Sequence, residues 1–182
     1  MNTKESLRQF EEISTTYLQE LDHFGLEQLT RKPAESEWSL GQMYMHLINS
    51  ALYMQLRNVE ACRNQIGQHV STVEEKTENG EAIFAQGSFP PIRIQVPSSK
   101  EYTPLQPESK EQIGTGLKRV LDQMRELEPT LDAIPLAYTA RHPRLGALHA
   151  KEWYMLVEMH YRHHLRQKER IETWLMEGRQ EK

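Results

Sequence analysis

A single cysteine, Cys62, in 182 residues leaves no partner for an intrachain disulfide. No apolar run approaches the roughly 20 residues that a membrane-spanning helix needs. No basic tract is present. Lys and Arg number 22 against 26 Asp and Glu, for a formal net charge of -4, and the isoelectric point is near 6.1. Neither nucleic acid nor an anionic membrane surface is an expected partner for such a chain. Apolar residues reach only 37%, and the mean hydropathy is -0.73. That supports one core built from helices with one apolar stripe and a broad solvated face. The segment Met1-Asn2-Thr3-Lys4-Glu5-Ser6 leads into an amphipathic stretch, not an apolar signal core. Together these features set the expectation of a soluble cytoplasmic protein, folded as a single domain over residues 1–182.

Four segments carry helical periodicity. In the first, about Thr3 to Phe24, Leu7, Phe10, Ile13, Tyr17 and Leu21 fall at three- and four-residue steps, and Gly25 is a stop. The second runs from about Ser39 to Gln65. Ser39 and Gln42 form a capping box, and Trp38 can staple against Met43. This segment is apolar on most sides and predicts the most buried helix. The third spans about Glu108 to Leu127, with a stripe of Ile113, Leu117, Val120, Leu121, Met124 and Leu127. The fourth starts near Ala150 and presents Trp153, Leu156, Val157, His160, His164, Gln167 and Ile171 on one face.

Between the second and third helices, about Ile66 to Gln106 holds Gly80, Gly87, Pro90, Pro91, Pro97 and Pro104. Within it Ile92-Arg93-Ile94-Gln95-Val96 alternates as a short strand does, bracketed by prolines. Such a connector is expected to pack over one end of the helices as a lid or binding loop. A second connector, about Thr130 to His149, precedes the last helix. The fold class that follows is all-α, an antiparallel four-helix bundle with long crossover connections.

Eight histidines are present: 23, 46, 69, 142, 149, 160, 163 and 164. His160 and His164 are four residues apart, which places both imidazoles on one helix face about 6 Å apart along the axis. Two neutral imidazoles so placed can grip one divalent ion. A bare H-x-x-x-H is a weak pattern, and a lone His on an apolar face is ordinarily a hydrogen-bonded core residue. Only His46, His160 and His164 lie on inward faces of long apolar helices. His46 meets the other two only where the second and fourth helices are neighbours, which spacing leaves open. His163 is read as a supporting or solvent-facing residue. Gln167 either holds a ligand histidine or faces a neighbouring helix. Trp38 and Trp153 read as core anchors. Arg166 to Glu172 reads as a solvated helix face, and Cys62 as a small buried side chain. Glu152 and Glu158 lie in the right helix for a general base, but neither spacing favours that over a surface role; no general base is assigned.

Three blocks resemble a known family. Glu37-Trp38-Ser39-Leu40-Gly41-Gln42-Met43-Tyr44-Met45-His46-Leu47 is similar to its W-S-x-x-E/Q-x-x-x-H-L helix start. His142-Pro143-Arg144-Leu145-Gly146-Ala147-Leu148, followed by Glu152-Trp153, is similar to its H-P-x-x-G-x-L…E-W lead-in. His160-Tyr161-Arg162-His163-His164-Leu165-Arg166-Gln167 is similar to its H-x-x-x-H-x-x-Q. In this order and separation the chain resembles the DinB/YfiT-like superfamily of small bacterial metal-binding four-helix bundles. The long connector before the third helix departs from that pattern.

The resemblance implies one divalent ion, zinc or nickel before harder ions, held by His46, His160 and His164, with water in the open positions. It implies a metal-dependent hydrolase or a transferase using a low-molecular-weight thiol, a small-molecule substrate, and a homodimer. The alternative is a non-catalytic bundle in which the metal is structural or the site vestigial.

Overall fold

The computed structural model describes residues 2–65, 70–71, 74–91 and 103–180. The Ile92–Val96 alternation, Pro97 and His69 fall outside them. Helix α1 is Thr3–Leu21, capped by the Asn2 side chain accepting from the Glu5 N–H. A short α2, Leu26–Thr30, follows Gly25. One long helix comes next in three parts: α3 (Leu40–Ser50), a π-helical turn (Ala51–Gln55) and α4 (Leu56–Asn64). Then come β1 (Val70–Ser71), α5 (Glu78–Gln86) and α6 (Lys110–Leu127). A 3-10 turn (Glu128–Ala133), β2 (Thr139–His142) and β3 (Gly146–His149) lead into α7 (Ala150–Gln180).

Cross-helix contacts fix the directions. Thr3 meets Glu128 and Asp22 meets Lys110, so α1 and α6 are antiparallel. His46 meets His160 while Cys62 meets the Leu148 carbonyl, so α3–α4 and α7 are antiparallel. Phe10 packs on Tyr161 and Glu20 pairs with Lys168, so α1 and α7 run together. The bundle is therefore two antiparallel pairs in up-down-down-up order. The stripes expected from sequence fill its core: Phe10, Tyr17 and Leu21 from α1, Met43, Tyr44 and Leu47 from α3, Ile113, Leu117, Val120 and Met124 from α6, and Trp153, Leu156 and Val157 from α7. Buried tyrosines find partners on neighbouring backbones. Tyr17 Oη donates to the Tyr161 carbonyl at 3.0 Å, and Tyr44 Oη to the Tyr17 carbonyl at 3.1 Å. No helix among the described residues is long and apolar enough to cross a membrane.

The topology corrects the reading of the first connector. Because α4 and α6 point the same way, α6 starts at the end of the bundle opposite the one where α4 stops, and the described parts of the connector lie at both ends and between them, not over one end. At its start Thr77 N–H donates to the Leu145 carbonyl and Ala147 N–H to the Glu75 carbonyl. Midway, Arg162 Nη2 donates to the Gly87 carbonyl at 2.7 Å. At its far end Gln42 Nε2 donates to the Pro104 carbonyl, and Ser39 Oγ donates to Gln106 Oε1.

The second connector is also more ordered than its sequence suggests. A three-stranded antiparallel sheet, order β1-β2-β3, closes the end of the bundle where α7 begins. Its strands are two to four residues long, too short for an alternating pattern to register. At the start of β3, where the hairpin turn ends, Gly146 has φ +77°, and an added Cβ would stand 2.6 Å from the Thr77 nitrogen. The turn therefore requires glycine.

Candidate metal centre

His46 reaches the bundle interior from the second turn of α3. That register follows from the capping box: Ser39 Oγ accepts from the Gln42 N–H at 3.1 Å, and Gln42 Oε1 accepts from the Ser39 N–H at 3.0 Å. His160 and His164 face it from α7. His160 Nε2 stands 3.1 Å from His46 Nε2 and 3.2 Å from His164 Nε2. The structure thus brings together the three histidines singled out in the sequence. Their ligand atoms all lie within 4.8 Å of one another, a grouping that can hold a metal ion.

Three features of the donor set fit such an ion. Ligands 2.0–2.1 Å from a tetrahedral ion stand about 3.3 Å apart, close to the spacing found. Gln167 Oε1 lies 2.8 Å from His164 Nδ1 and only accepts, a pairing that puts the proton on Nδ1 and leaves Nε2 as a bare lone pair. Finally, a proton on His160 Nε2 can point at His46 or at His164, not at both, whereas one cation satisfies all three nitrogens. Burial keeps the rings neutral and ready to ligate, pushing His46 down to about 4 and His164 down to about 3. His160 is pushed well below the usual histidine range by burial, then by the neighbouring imidazoles.

The surroundings are aromatic on two sides. The Trp38 ring lies 4.9 Å from His46, and Phe89 lies 6.4 Å from His160 and 5.4 Å from His163. Trp38 is half-buried, so it lines the site and is not the core anchor expected. Trp153 is a core anchor, fully buried with its indole N–H donating to the Ala140 carbonyl at 3.2 Å. His163 stays outside the trio, half-buried against Phe89 and His164.

Glu152 and Glu158 are buried, not on the surface. Glu152 accepts from the His149 N–H while His149 Nδ1 accepts from the Glu152 N–H, and Lys76 Nζ stands 2.9 Å from Glu152 Oε1. Glu158, fully buried, pairs with Arg162 at 2.7 Å. In the charged run after Arg166, Lys168 is likewise buried, between Glu20 and Glu172. His23 is exposed at the end of α1. Cys62 is buried and its thiol is pushed up to about 11 by desolvation, which leaves it inert at neutral pH.

Sequence reading missed Gln55. It is almost fully buried, and its side-chain Nε2 lies 3.4 Å from His160 Nδ1. The signal was hidden by helix geometry: Gln55 is nine residues after His46, about two and a half turns of regular α-helix, which predicts the opposite face.

A helical bundle with three histidines from two antiparallel helices converging on one point defines a class of bundle metal sites. The DinB superfamily model matches residues 9–167, most of the chain, and the chain belongs to that superfamily. No curated protein matches it.

Proposed function

We propose that this chain is a divalent-metal-dependent enzyme that activates a low-molecular-weight thiol for transfer to an electrophile, with zinc or nickel held by His46, His160 and His164. The observation that carries the reading is the convergence of three Nε2 atoms at 3.1 and 3.2 Å, with no fourth His, Cys, Asp or Glu in the group among the described residues. Three protein ligands leave positions for solvent or substrate, whereas structural zinc sites ordinarily recruit four. Bound there, the ion supplies Lewis acidity that lowers the pKa of a thiol or of water.

The chain's own residues supply the rest. His46, His160 and His164 offer neutral nitrogens, because burial opposes their protonation. Gln167 holds the His164 ring by its Nδ1 proton. Trp38 and Phe89 wall the site with apolar surface. The choice of thiol over water rests on acidity and on the carboxylates of α7 nearest the site in sequence. Glu152 and Glu158 are each committed to a cation. A thiol, with a free pKa of about 8.5 against about 15.7 for water, starts far nearer the proton loss that metal coordination completes.

The test is an assay of thiol conjugation to electrophiles, alongside ester and amide hydrolysis, with and without metal. Conjugation that disappears on chelation and returns with zinc or nickel supports the reading. Hydrolysis without conjugation replaces the substrate while keeping the metal. Activity that survives complete removal of the ion overturns the mechanism.

A further inference from the structure

Regular α-helix cannot place both His46 and Gln55 against α7. The π turn Ala51–Gln55 resolves this. It closes with the Leu56 N–H donating to the Ala51 carbonyl, a span of five residues, so one residue is inserted into the helical register. Gln55 then occupies the angular position of the eighth residue after His46 instead of the ninth, which returns it to the same stripe. Single-turn π insertions cost hydrogen-bond geometry, and a helix that carries one needs a compensating reason.

The reason lies at His160. Gln55 is 1% exposed, and its Oε1 is a buried acceptor with no hydrogen-bond partner among the described residues. Its amide faces His160 with Nε2 as placed, 3.4 Å from His160 Nδ1, which leaves Oε1 the orphan. The orientation of that amide decides the tautomer of His160. With Nε2 toward the ring, His160 Nδ1 accepts, its proton sits on Nε2, and the ring cannot ligate. With Oε1 toward the ring, the orphaned oxygen accepts the Nδ1 proton and the Nε2 lone pair is freed toward His46 and His164. One turn along α7 the same arrangement already exists, where Gln167 Oε1 takes His164 Nδ1 at 2.8 Å.

We infer that Gln55 is a positioning residue for the metal centre, delivered by the π turn, whose Oε1 accepts the His160 Nδ1 proton and sets the ligating tautomer. The inference rests on the reading that the three histidines hold a metal. It adds a residue that neither the histidine spacing nor the three sequence blocks contain.

The experiment uses the full chain and titrates zinc into wild type, Gln55→Leu and Gln55→Glu, with His160→Ala as the control for loss of a ligand. Gln55→Leu removes the acceptor and weakens zinc by about 10- to 100-fold. Gln55→Glu keeps an acceptor and stays within a few-fold of wild type, which a merely space-filling role does not predict. A second measurement needs no variant: nitrogen-15 histidine spectra of the zinc-free wild-type protein show the His160 proton on Nδ1. A Gln55→Leu protein that binds zinc as tightly as wild type overturns the inference while leaving the three-histidine site intact. So does a wild-type His160 protonated on Nε2, which decides the matter even where Gln55→Leu fails to fold. Wild-type protein that takes up no zinc overturns both the inference and the reading beneath it.

Discussion

Histidines occur at both ends of one 15 Å stretch of α7, by about 1.5 Å per residue, and their nitrogens meet opposite kinds of partner. At the hairpin end, His142 Nδ1 accepts from the backbone N–H groups of Arg144 and Leu145, both at 3.1 Å. His149 Nδ1 accepts from the Glu152 N–H at 3.2 Å and so caps α7. The Nδ1 atoms of these rings are occupied in holding a turn and a helix start. In the middle of the bundle, His46, His160 and His164 turn Nε2 toward one another instead. Acceptors facing acceptors at 3.1–3.2 Å require a cation or a proton between them. The residue type is the same in both regions. What separates a structural histidine from a ligand is whether a backbone donor already fills its lone pair.

The sharpest way to break this comparison is to remove one set at a time. His46→Ala should lose most of the bound metal, and the triple variant His46→Ala, His160→Ala, His164→Ala should lose all of it. His142→Ala should keep wild-type metal content and lose stability instead, by about 1–2 kcal/mol for two uncapped backbone donors. Metal analysis by mass spectrometry on protein purified without chelators or a nickel column reads both. Wild-type metal content in the triple variant would dissolve the distinction.

Acid tests the two regions together. Burial lowers His46 and His142 to about 4 and His164 to about 3, against an ordinary 6.5 in the unfolded chain. Above pH 6.5 both states carry neutral rings and full stability is present. As pH falls below 6.5 the unfolded chain takes up protons first, so stability is lost, at about 1.4 kcal/mol per unit per ring, until the folded-state values are reached. Metal-free protein should therefore lose about 2 kcal/mol per ring between pH 6.5 and 5, by urea unfolding. Zinc should protect the share due to His46 and His164 and leave that of His142 unchanged. A metal-free stability flat from pH 7 to 5 would contradict the burial of these rings.

Much of this architecture is legible in the residues, and what is not has identifiable causes. The four helices follow from apolar stripes that the core adopts, and the Ser39–Gln42 capping box forms as its spacing dictates. The histidine trio is carried by spacing within α7 and by which faces are apolar, but the pairing of α3 with α7 is a topological fact that periodicity does not contain. The hairpin is hidden because its strands pair through backbone, with too few residues to alternate. Gln55 is hidden because a π turn breaks the very period used to assign faces. Glu152 and Lys168 look like surface charges because their partners, Lys76 and Glu20, come from distant segments, while Glu158 pairs with Arg162 four residues on and is hidden only by how α7 packs.

The ion pair at the hairpin end sharpens the comparison further. Glu152 accepts from the His149 N–H at 3.1 Å and pairs with Lys76 at 2.9 Å, with its side chain 8% exposed. Glu152→Ala removes one half of the α7 capping box and leaves Lys76 with Glu81 as its remaining carboxylate, 3.5 Å away, at a cost of about 1–2 kcal/mol. Its effect should appear in chemical unfolding and not in the zinc affinity of the folded protein. A fall in affinity equal to that of a ligand variant would make the hairpin part of the metal site.

The smallest effect expected is at Cys62, and it bears on where the reactive sulfur comes from. Cys62 is fully buried, its Sγ lies 3.9 Å from the Leu148 carbonyl, and burial holds its thiol up at about 11. It sits on α4 against the hairpin, away from His46, His160 and His164, so it has neither the thiolate nor the access that nucleophilic attack requires. Cys62→Ala should cost about 1 kcal/mol for the small cavity left behind. Zinc affinity and thiol conjugation should both be unchanged, and iodoacetamide should leave the native protein unmodified. Rapid alkylation of native Cys62 with loss of conjugation would move the chemistry to the hairpin end of the molecule and reverse the roles of its two histidine regions.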